Sequence, residues 1–526
     1  MKVIIPMSGI GKRFVDAGFK VPKPLIEVEG QPIIYHIIDL FPGETEFYFI
    51  CNDYHLRTTA MKEVLLAKVP QAKIFSVSVE DRKGPVDAVL QIKEWIADDD
   101  EVIVSYCDYG TQWDYEEFIA EMREINADGG IASYIGFHPH MLGGDNYAFM
   151  KHEEMWVTDI QEKKPFTMNK MAEYASNGTY YFRTGAILKT YFQKLVDAKM
   201  DLNGEYYVSL VYKLMIEAGL HVRIFEIEKM LQWGTPRDLE EYLVWSNYFK
   251  DRMREPMVFR GKEDYTLLLP MAGAGSRFRI EGFDLPKPLL PVEEKEMVVQ
   301  AVNCLPAAKT NVFVCLNQHL ADYPIKETLL GAFQNTTVIG IDGVTEGQAC
   351  TCEIAVKQLG LQDEEPLLIS ACDNGVYYNP ADFYALMDDS SVDVIVWSFT
   401  NNATSKLYPH MYAWLSVDEN NFINAVSIKK AFTDRVAKHC IIGTMWFRRT
   451  GLFMEGLKDI YASNSRTNGE FYVDNVLVPL IEKGYKVKVF EVKNYLCWGT
   501  PNDYKTYLYW EEFFKVKFEG YKKNIL

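Results

Sequence analysis

The sequence has no long hydrophobic run, few cysteines and no excess of positive charge. No apolar stretch approaches the roughly 20 residues that cross a bilayer, and the N-terminus has no basic region followed by an apolar run and a cleavage site. Nine cysteines in 526 residues, odd in number and scattered, suit a reducing cytoplasm. A net charge of −18 argues against nucleic acid or an anionic membrane surface as partner. We therefore expect a cytoplasmic protein with neither partner.

What the sequence does have is a high apolar content and a large internal repeat. Its residues are 48% hydrophobic and 14% aromatic, which is enough to bury large cores. A glycine-rich segment near the N-terminus, GIGKRF, returns 264 residues later as GAGSRF, and a PKPL element follows each copy. The matching residues are Gly9, Gly11, Arg13 and Lys23 in the first copy, and Gly273, Gly275, Arg277 and Lys287 in the second.

Three later motifs repeat at a spacing of 265 residues. SYCDYG matches SACDNG, NGEYYV matches NGEFYV, and LQWGTP matches LCWGTP. Because the spacing changes by a single residue from end to end, the chain is a tandem duplication of one large domain. The charged stretch 250–264 has little apolar periodicity, so we place the domains at 1–258 and 259–526.

Each copy alternates short apolar runs with amphipathic helical stretches. KVIIPM, EFYFICN, AKIFSVSV and EVIVSYCD predict buried strands, and MKEVLLAKV and DAVLQIKEWI predict helices between them. This alternation is typical of an α/β fold with a mostly parallel sheet covered on both faces. Such sheets bind ligands beyond the carboxyl ends of their strands. The glycine loop, Asp108 and Asp373 all follow predicted strands.

The glycine segment and the PKPL element suit a phosphate ligand. Glycines allow positive φ, so a loop built on Gly9 and Gly11 can present its backbone N–H groups to a polyphosphate. Arg13 adds a forked donor for phosphate oxygens. Because a residue before proline is pushed out of the α region, we expect Val21 and Lys23 to be extended. The gap from arginine to lysine is ten residues in both copies.

GxGxRF, PKPL and a strand that ends in Asp together resemble the sugar-phosphate nucleotidyltransferase family, over nearly all of both halves. The resemblance implies a Rossmann-like fold related to GT-A glycosyltransferases. It implies a reaction that joins a nucleoside triphosphate to a phosphorylated acceptor, usually a sugar 1-phosphate, with release of pyrophosphate. By the same resemblance the loop glycines and arginines hold the triphosphate, and Lys23 and Lys287 contact the reacting phosphates. Asp108 and Asp373 would bind Mg²⁺.

Such a reaction needs no general base. The attacking group is a phosphate oxygen, which is largely ionised at neutral pH because the second pKa of a phosphate monoester is about 6. What remains is to align two anions and to neutralise charge, which arginine, lysine and Mg²⁺ can do.

The late motif departs from the family. Many relatives have a second metal-binding Asp two residues before its Gly-Thr, where this chain has Gln232 and Cys497. The nearby Asp238 and Asp503 fit the Thr-Pro-x-Asp start of a helix better than a metal site. Two histidines elsewhere, His138 and His140, are predicted to lie on a surface loop.

The acceptor side differs between the halves. In the family, residues matching Glu162 and Lys163 meet sugar hydroxyls and the acceptor phosphate, and the strand at Gly178 forms a wall for the sugar. The second-half counterparts are Ile428, Lys429 and Gly443. Because Ile428 accepts no hydrogen bond, we expect the second site to prefer a smaller or less hydroxylated acceptor, or to hold the same acceptor in another way.

Four further residues complete the predicted site. Gly84 and Gly347 lie in the family's nucleobase region. Glu205 and Glu470 each fall where a helix is predicted to open, and they border the acceptor pocket or serve the helix dipole.

Several functions stay open at this point. We favour a bifunctional nucleotidyltransferase that serves surface-polysaccharide precursor synthesis. The alternatives are one catalytic half with one binding or regulatory half, or a cytidylyltransferase for a non-sugar phosphate. A GT-A glycosyltransferase is less favoured, because CDYG and CDNG lack the Asp-x-Asp motif. The base of the nucleotide, the acceptor and the oligomeric state stay open.

Overall fold

The computed structural model describes residues 1–78, 83–400, 402, 405, 408–429 and 439–523, with side chains as far as 518. The chain divides into two compact units, Met1–Val244 and Trp245–Leu526. The nine cysteines are free thiols.

The first unit contains strands β1 to β13 and helices α1 to α9. Its strands are β1 Lys2–Met7, β2 Glu27–Val28, β3 Gln31–Pro32, β4 Glu46–Asn52, β5 Lys73–Val77, β6 Val102–Ser105, β7 Tyr109–Gln112, β8 Gly129–Tyr134, β9 Ala148–Glu153, β10 Trp156–Glu162, β11 Tyr174–Phe182, β12 Val222–Glu226 and β13 Lys229–Gln232. Its helices are α1 Lys12–Asp16, α2 Ile33–Ile38, α3 Asp53–Thr58, α4 Met61–Lys68, α5 Pro85–Leu90, α6 Tyr115–Glu124, α7 Gly185–Asp197, α8 Val208–Glu217 and α9 Pro236–Arg254, the last of which continues into the second unit.

The second unit repeats this order of elements. Its strands are β14 Lys262–Pro270, β15 Pro291–Val292, β16 Lys295–Glu296, β17 Ala307–Leu316, β18 Thr336–Ile341, β19 Leu367–Ile369, β20 Asn374–Tyr377, β21 Val394–Phe399, β22 Ala413–Val417, β23 Ile423–Ile428, β24 His439–Phe447, β25 Val487–Glu491 and β26 Asn494–Cys497. Its helices are α10 Ser276–Ile280, α11 Met297–Asn303, α12 Asn317–Asp322, α13 Ile325–Ala332, α14 Gln348–Leu359, α15 Pro380–Asp388, α16 Thr450–Ala462, α17 Val473–Glu482 and α18 Pro501–Lys523.

The main sheet of the first unit has the strand order β5-β4-β1-β6-β11-β8-β12-β10-β9. Strand β1 runs parallel to β4 and β6, whereas β11 runs antiparallel to β6 and β8. The second unit has the corresponding order β18-β17-β14-β19-β24-β21-β25, with the β22–β23 hairpin paired to β24. The predicted α/β class is therefore confirmed, with antiparallel strands beside a parallel core.

The cores explain why these segments are strands. Val3, Ile4 and Ile5 are fully buried in β1, and Leu268 and Leu269 are fully buried in β14. Such continuous apolar runs belong to strands with both faces covered. In the first unit α5, α7 and α8 contribute to the covering core on one side of the sheet. The predicted strands and helices of the first copy occur, although the second predicted helix stops at Leu90 and continues only as a 3₁₀ turn, Lys93–Trp95.

Across the residues described, none of the helices combines the length and the hydropathy that a bilayer crossing requires.

Candidate active site

The glycine loops leave the central strand of each sheet at its carboxyl end. Gly11 has φ 66° and Gly275 has φ 62°, the left-handed region that favours glycine, and each is the N-cap residue of a five-residue helix. Gly9 and Gly273 have open space where a side chain would lie. Both loops therefore leave room for a ligand above the sheet edge.

The lysine of each PKPL element begins a 3₁₀ turn, Lys23–Leu25 and Lys287–Leu289. The prediction that Lys23 is extended is therefore wrong. Hydrogen bonds from Leu25 N to the Pro22 carbonyl (2.8 Å) and from Ile26 N to the Lys23 carbonyl (3.1 Å) close the turn. The local bias of a residue before proline is overridden by these bonds.

An ion pair joins each of these lysines to the aspartate at the end of the neighbouring strand. Lys23 Nζ lies 2.7 Å from Asp108 Oδ2, and Lys287 Nζ lies 2.6 Å from Asp373 Oδ2. The pairs form because β1 and β6, like β14 and β19, are adjacent and parallel, so that their carboxyl ends share one edge. Two residues predicted separately thus meet at one point.

The electrostatic surroundings favour the charged forms of both lysines and of Asp373. Burial acts to lower the pKa of Lys23 and Lys287, but the paired aspartates outweigh it and raise the pKa of both ammonium groups. Burial acts to raise the pKa of Asp373, but Lys287, with Arg277 beyond it, holds that pKa below its ordinary value. Arg277 and Arg13 are themselves exposed. Both arginines can therefore reach an anion at the rim of the site, where Arg13 Nη2 also donates a long hydrogen bond to Asn146 Oδ1 (3.5 Å).

The late motif packs directly against the strand-end aspartate. Trp233 N donates to the Asp108 carbonyl (3.1 Å), and the amide of Gly234 donates to Gln232 Oε1 (2.9 Å). A Cβ at Gly234 would lie 2.9 Å from Asp108 Oδ2 and 3.0 Å from Gln232 Oε1. One side-chain oxygen of Asp108 and one of Gln232 therefore lie close together beside Gly234.

The equivalent place in the second unit has a thiol instead of an amide. A Cβ at Gly499 would lie 3.1 Å from Asp373 Oδ2 and 3.8 Å from Cys497 Sγ. Burial, with Asp503 nearby, raises the pKa of Cys497 well above its ordinary value. A protonated thiol is a poor ligand for a hard cation.

Asp238 and Asp503 belong to helix caps, as predicted. Thr235 Oγ1 donates to Asp238 Oδ2 (2.6 Å), and Asp238 N donates back to Thr235 Oγ1 (3.2 Å). Thr500 and Asp503 make the same two bonds at 2.6 Å and 3.2 Å. This reciprocal arrangement satisfies backbone groups at the first turns of α9 and α18.

Three predicted acceptor-side residues of the first unit, Glu162, Lys163 and Glu205, meet near the end of β10 and the start of α8. Ser209 Oγ donates to Glu162 Oε2 (2.6 Å). Lys163 Nζ donates to the Tyr207 hydroxyl (2.5 Å), which donates to Glu205 Oε2 (2.7 Å). Ser209 and Tyr207 were not predicted; both belong to the repeated NGEYYV region or its immediate neighbour, which was the available signal.

Glu205 and Glu470 do not open helices. The following helices begin at Val208 and Val473, three residues later in each case. Glu205 instead lies in a turn that bridges to Leu202. The helix-dipole interpretation of these two residues is therefore wrong, because each carboxylate lies before the first turn.

In the second unit Lys429 N donates to the Tyr412 carbonyl (3.0 Å), and Lys429 Nζ donates to the Met411 carbonyl. Gly443 has φ 95°, and its counterpart Gly178 has φ 103°. Tyr106 N donates to the Gly178 carbonyl (3.0 Å). A Cβ added at Gly178 would lie 3.0 Å from the Tyr106 ring. These two strand positions therefore require glycine.

Gly84 and Gly347 allow a close approach of two backbones. Gly84 has φ 98°, and a Cβ there would lie 2.7 Å from Tyr206 N. At Gly347, with φ 142°, a Cβ would lie 2.5 Å from both Phe471 N and Phe471 O. Packing therefore requires glycine at both positions. Without a Cβ, the segment before α5 or α14 can lie directly against the NGE(Y/F)YV segment.

A cavity of about 380 Å³ opens at the carboxyl edge of the second sheet. Its lining includes Gly275, Lys287, Asp373, Gln348 and His319. Gln348 and His319 were not predicted. They come from α14 and α12, whose starts the sheet order brings to this edge.

The predicted surface position of His138 and His140 is wrong. Both are buried, at 4% and 6% exposed, and His140 Nε2 lies 3.0 Å from the Tyr134 hydroxyl. Burial lowers the pKa of His138 to about 4. No cluster of three or more His, Cys, Asp or Glu residues able to hold a metal occurs within the described ranges.

Comparison with protein families now defines the class of the first unit. The family "Nucleotidyl transferase" matches residues 2–215, which include the glycine loop, the lysine–aspartate pair and Glu162. Residues 2–215 are therefore similar to the nucleotidyl transferase family. The match covers less than half of the chain and does not extend to the second unit.

Several solved structures are similar to part of the chain. A nucleoside-diphosphate-sugar pyrophosphorylase from Vibrio cholerae RC9 is 21% identical, with 46% of this chain and 99% of that chain covered and a TM-score of 0.38. The CTP:phosphocholine cytidylyltransferase of Streptococcus pneumoniae is 16% identical, with 46% and 97% covered and a TM-score of 0.35. An inositol-1-phosphate CTP transferase from T. maritima is 12% identical, with 45% and 90% covered and a TM-score of 0.35. No curated protein matches the chain.

Proposed function

We propose that the protein is a nucleotidyltransferase with two active sites, one in each of the domains 1–258 and 259–526. Each site joins a nucleoside triphosphate to a phosphorylated small molecule, in particular a sugar 1-phosphate, and releases pyrophosphate. The observation that carries the proposal is the ion pair of Lys23 with Asp108 and of Lys287 with Asp373, each below a glycine loop at the carboxyl edge of a sheet.

The chemistry of these side chains suits phosphoryl transfer. An acceptor phosphate oxygen attacks the α-phosphorus; the new P–O bond forms as the bond to the β-phosphate breaks, and pyrophosphate leaves with the electron pair. The loop N–H groups and Arg13 or Arg277 would hold the triphosphate anion. The lysine ammonium would neutralise charge on the reacting phosphates.

Mg²⁺ is the cofactor that we propose, bound by Asp108 and Asp373. Both carboxylates are partly exposed at the sheet edge, and a hard cation prefers one or two carboxylates together with substrate phosphate oxygens. Gln232 adds a second protein oxygen near Asp108, whereas Cys497 adds none near Asp373. When bound, the ion would supply positive charge against the triphosphate.

For the first site we propose a sugar phosphate as acceptor and a nucleotide-activated precursor of surface polysaccharide, such as capsule, as product. Glu162 can accept hydrogen bonds from hydroxyl groups, Lys163 can meet the acceptor phosphate, and the strand at Gly178 would form a wall for the sugar. Gly84 and Gly347 border the region proposed for the nucleobase.

The alternative with a specific observation in its favour is one catalytic unit and one binding unit. Ile428 replaces Glu162, and Lys429 donates to the Met411 backbone rather than to a tyrosine hydroxyl. On this alternative the second unit binds a nucleotide without turning it over.

The test is an assay of the full chain for pyrophosphate release with each nucleoside triphosphate, Mg²⁺ and a panel of sugar 1-phosphates and other phosphorylated alcohols. Asp108→Asn and Asp373→Asn silence the sites one at a time. The exposed Asp99→Asn is the matched control. Activity that survives in each single variant and vanishes in the double variant supports two sites, whereas an inactive Asp108→Asn protein supports the binding-unit alternative. Wild-type protein inactive on every combination would refute the proposal.

A further inference from the structure

In the first unit, the carboxylate of the acceptor side is provided by a strand. Glu162 is the last residue of β10, and Ser209 is the second residue of α8. The hydroxyl of Ser209, which is fully buried, donates to Glu162 Oε2 at 2.6 Å. The end of the strand and the start of the helix therefore face each other across this short distance.

Backbone pairing identifies the same two positions in the second unit. Glu162 pairs with Ala148 in the β9–β10 hairpin, and Ile428 pairs with Ala413 in the β22–β23 hairpin. The next residue on each strand is a lysine whose N–H donates to a tyrosine carbonyl, at 2.8 Å from Lys163 and 3.0 Å from Lys429. The strand position thus has Glu162 in one unit and Ile428 in the other.

The matching helix position also differs between the units, and there the carboxylate is in the second unit. Asp474 is the second residue of α17, as Ser209 is of α8. The second unit therefore has an apolar residue on the strand and a carboxylate on the helix, whereas the first has a carboxylate on the strand and a hydroxyl on the helix. At these two positions one carboxylate is present in each unit, and only the element that provides it differs.

The surroundings of Asp474 do not account for a charge. Among the residues described, none donates a hydrogen bond to its carboxylate. Burial raises the pKa of Asp474 to about 6, and the nearby Lys429 only partly offsets this effect. A carboxylate placed for the helix dipole would instead be stabilised in its charged form. An unbonded carboxylate in a mostly buried position is costly, so it indicates a ligand that completes its hydrogen bonds.

We propose that Asp474 replaces Glu162 as the acceptor-binding carboxylate of the second unit, so that this site also takes a polyhydroxylated phosphate such as a sugar phosphate. This inference rests on the proposed function. Of the two expectations for the second site, it favours the same acceptor held in another way over a less hydroxylated acceptor. The hydroxyl groups of the acceptor would be held from the helix side instead of the strand side.

The experiment uses the full chain with the first site silenced by Asp108→Asn. Glucose 1-phosphate, which has several hydroxyls, and ethyl phosphate, which has no carbon-bound hydroxyl and no cationic group, are compared as acceptors. We expect Asp474→Ala to lower kcat/KM for glucose 1-phosphate by about 10- to 100-fold, the usual effect of a lost hydrogen bond to a charged group. The ratio of kcat/KM for glucose 1-phosphate to that for ethyl phosphate should therefore fall. The double variant Ile428→Glu with Asp474→Ser returns the carboxylate to the strand and should recover glucose 1-phosphate turnover.

A second readout does not depend on activity. Asp474→Asn should raise the thermal midpoint of the second unit at neutral pH, because a buried charge is removed and no hydrogen bond is lost. A lower midpoint would mean that Asp474 stabilises the N-terminus of α17, and it would overturn the inference. An unchanged ratio of kcat/KM between the two acceptors in Asp474→Ala would also overturn it. A silent second site in the Asp108→Asn background, with a raised midpoint, would instead remove the proposed catalysis and leave Asp474 as a ligand-binding carboxylate.

Discussion

Removal of the Lys287 ammonium tests the ion pair on which the second site depends. Lys287 and Asp373 are joined at 2.6 Å, and their side chains are 21% and 26% exposed. Lys287→Ala leaves the Asp373 carboxylate in the same mostly buried place without its cation. A buried polar group that loses its partner costs about 1–3 kcal/mol of unfolding free energy, and we expect the loss to fall in this range.

The pH dependence of this loss follows from the two pKa shifts. Asp373 has a lowered pKa, so its contribution to stability is present above the unfolded value of 3.8 and is lost as the pH falls through the folded value. Lys287 has a raised pKa, so its contribution is present below 10.5 and is lost as the pH rises through the folded value. The difference between wild type and Lys287→Ala should therefore be greatest between these limits and should close on either side.

Scanning calorimetry of the full chain measures the stability term, and pyrophosphate release in the Asp108→Asn background measures catalysis. Unfolding of a unit of this size should shift by about 2–4 °C per kcal/mol, and turnover should fall about 10²–10³-fold. Lys326→Ala on the exposed surface of α13 is the control, and Lys23→Ala repeats the test in the first unit. A variant with wild-type stability at neutral pH, or with unchanged second-site turnover, would refute the reasoning.

Three further changes test the packing around the sites. For Asp474→Asn, the difference between a pKa of about 6 and the ordinary 3.8 predicts a gain of up to about 3 kcal/mol in unfolding free energy at neutral pH. The raised pKa means that the wild type loses this stability as the pH rises through about 6, so denaturation of both proteins at acidic pH should show no gain. Gly347→Ala places a Cβ 2.5 Å from Phe471 N at φ 142°, and it should lower the free energy of unfolding by at least about 2 kcal/mol. The control Gly343→Ala, whose Cβ would meet nothing within 4 Å, should lower it far less. Equal thermal midpoints of the two variants would contradict the close-approach argument. Thr500→Ala should cost about 1 kcal/mol through loss of the cap, whereas Thr500→Ser should retain the wild-type midpoint, and a loss with serine as large as with alanine would exclude the capping bond as its cause.

Local sequence rules failed where another local turn competed with the predicted conformation. Lys23 precedes a proline, yet it turns into a 3₁₀ helix because two backbone hydrogen bonds close that turn. Glu205 was expected at a helix start, yet α8 begins at Val208 because the preceding residues form a separate turn. The Thr235 to Asp238 cap was predicted correctly, since all of its atoms belong to one local segment.

The sequence by itself predicted the duplication, and it determined the α/β class and the placement of glycine loops and aspartates after strand ends. These features follow from patterns within short segments: apolar runs, glycines at turns and motifs repeated at a constant spacing. Only the tertiary structure decided that Lys23 pairs with Asp108, 85 residues away, and that Ser209 meets Glu162. Only the tertiary structure showed that Asp474 and Ile428 occupy the positions in the second unit that Ser209 and Glu162 occupy in the first. The physical reason is that such pairs depend on which strands are adjacent and on the register in which a helix packs on a strand, and neither is encoded in any single segment.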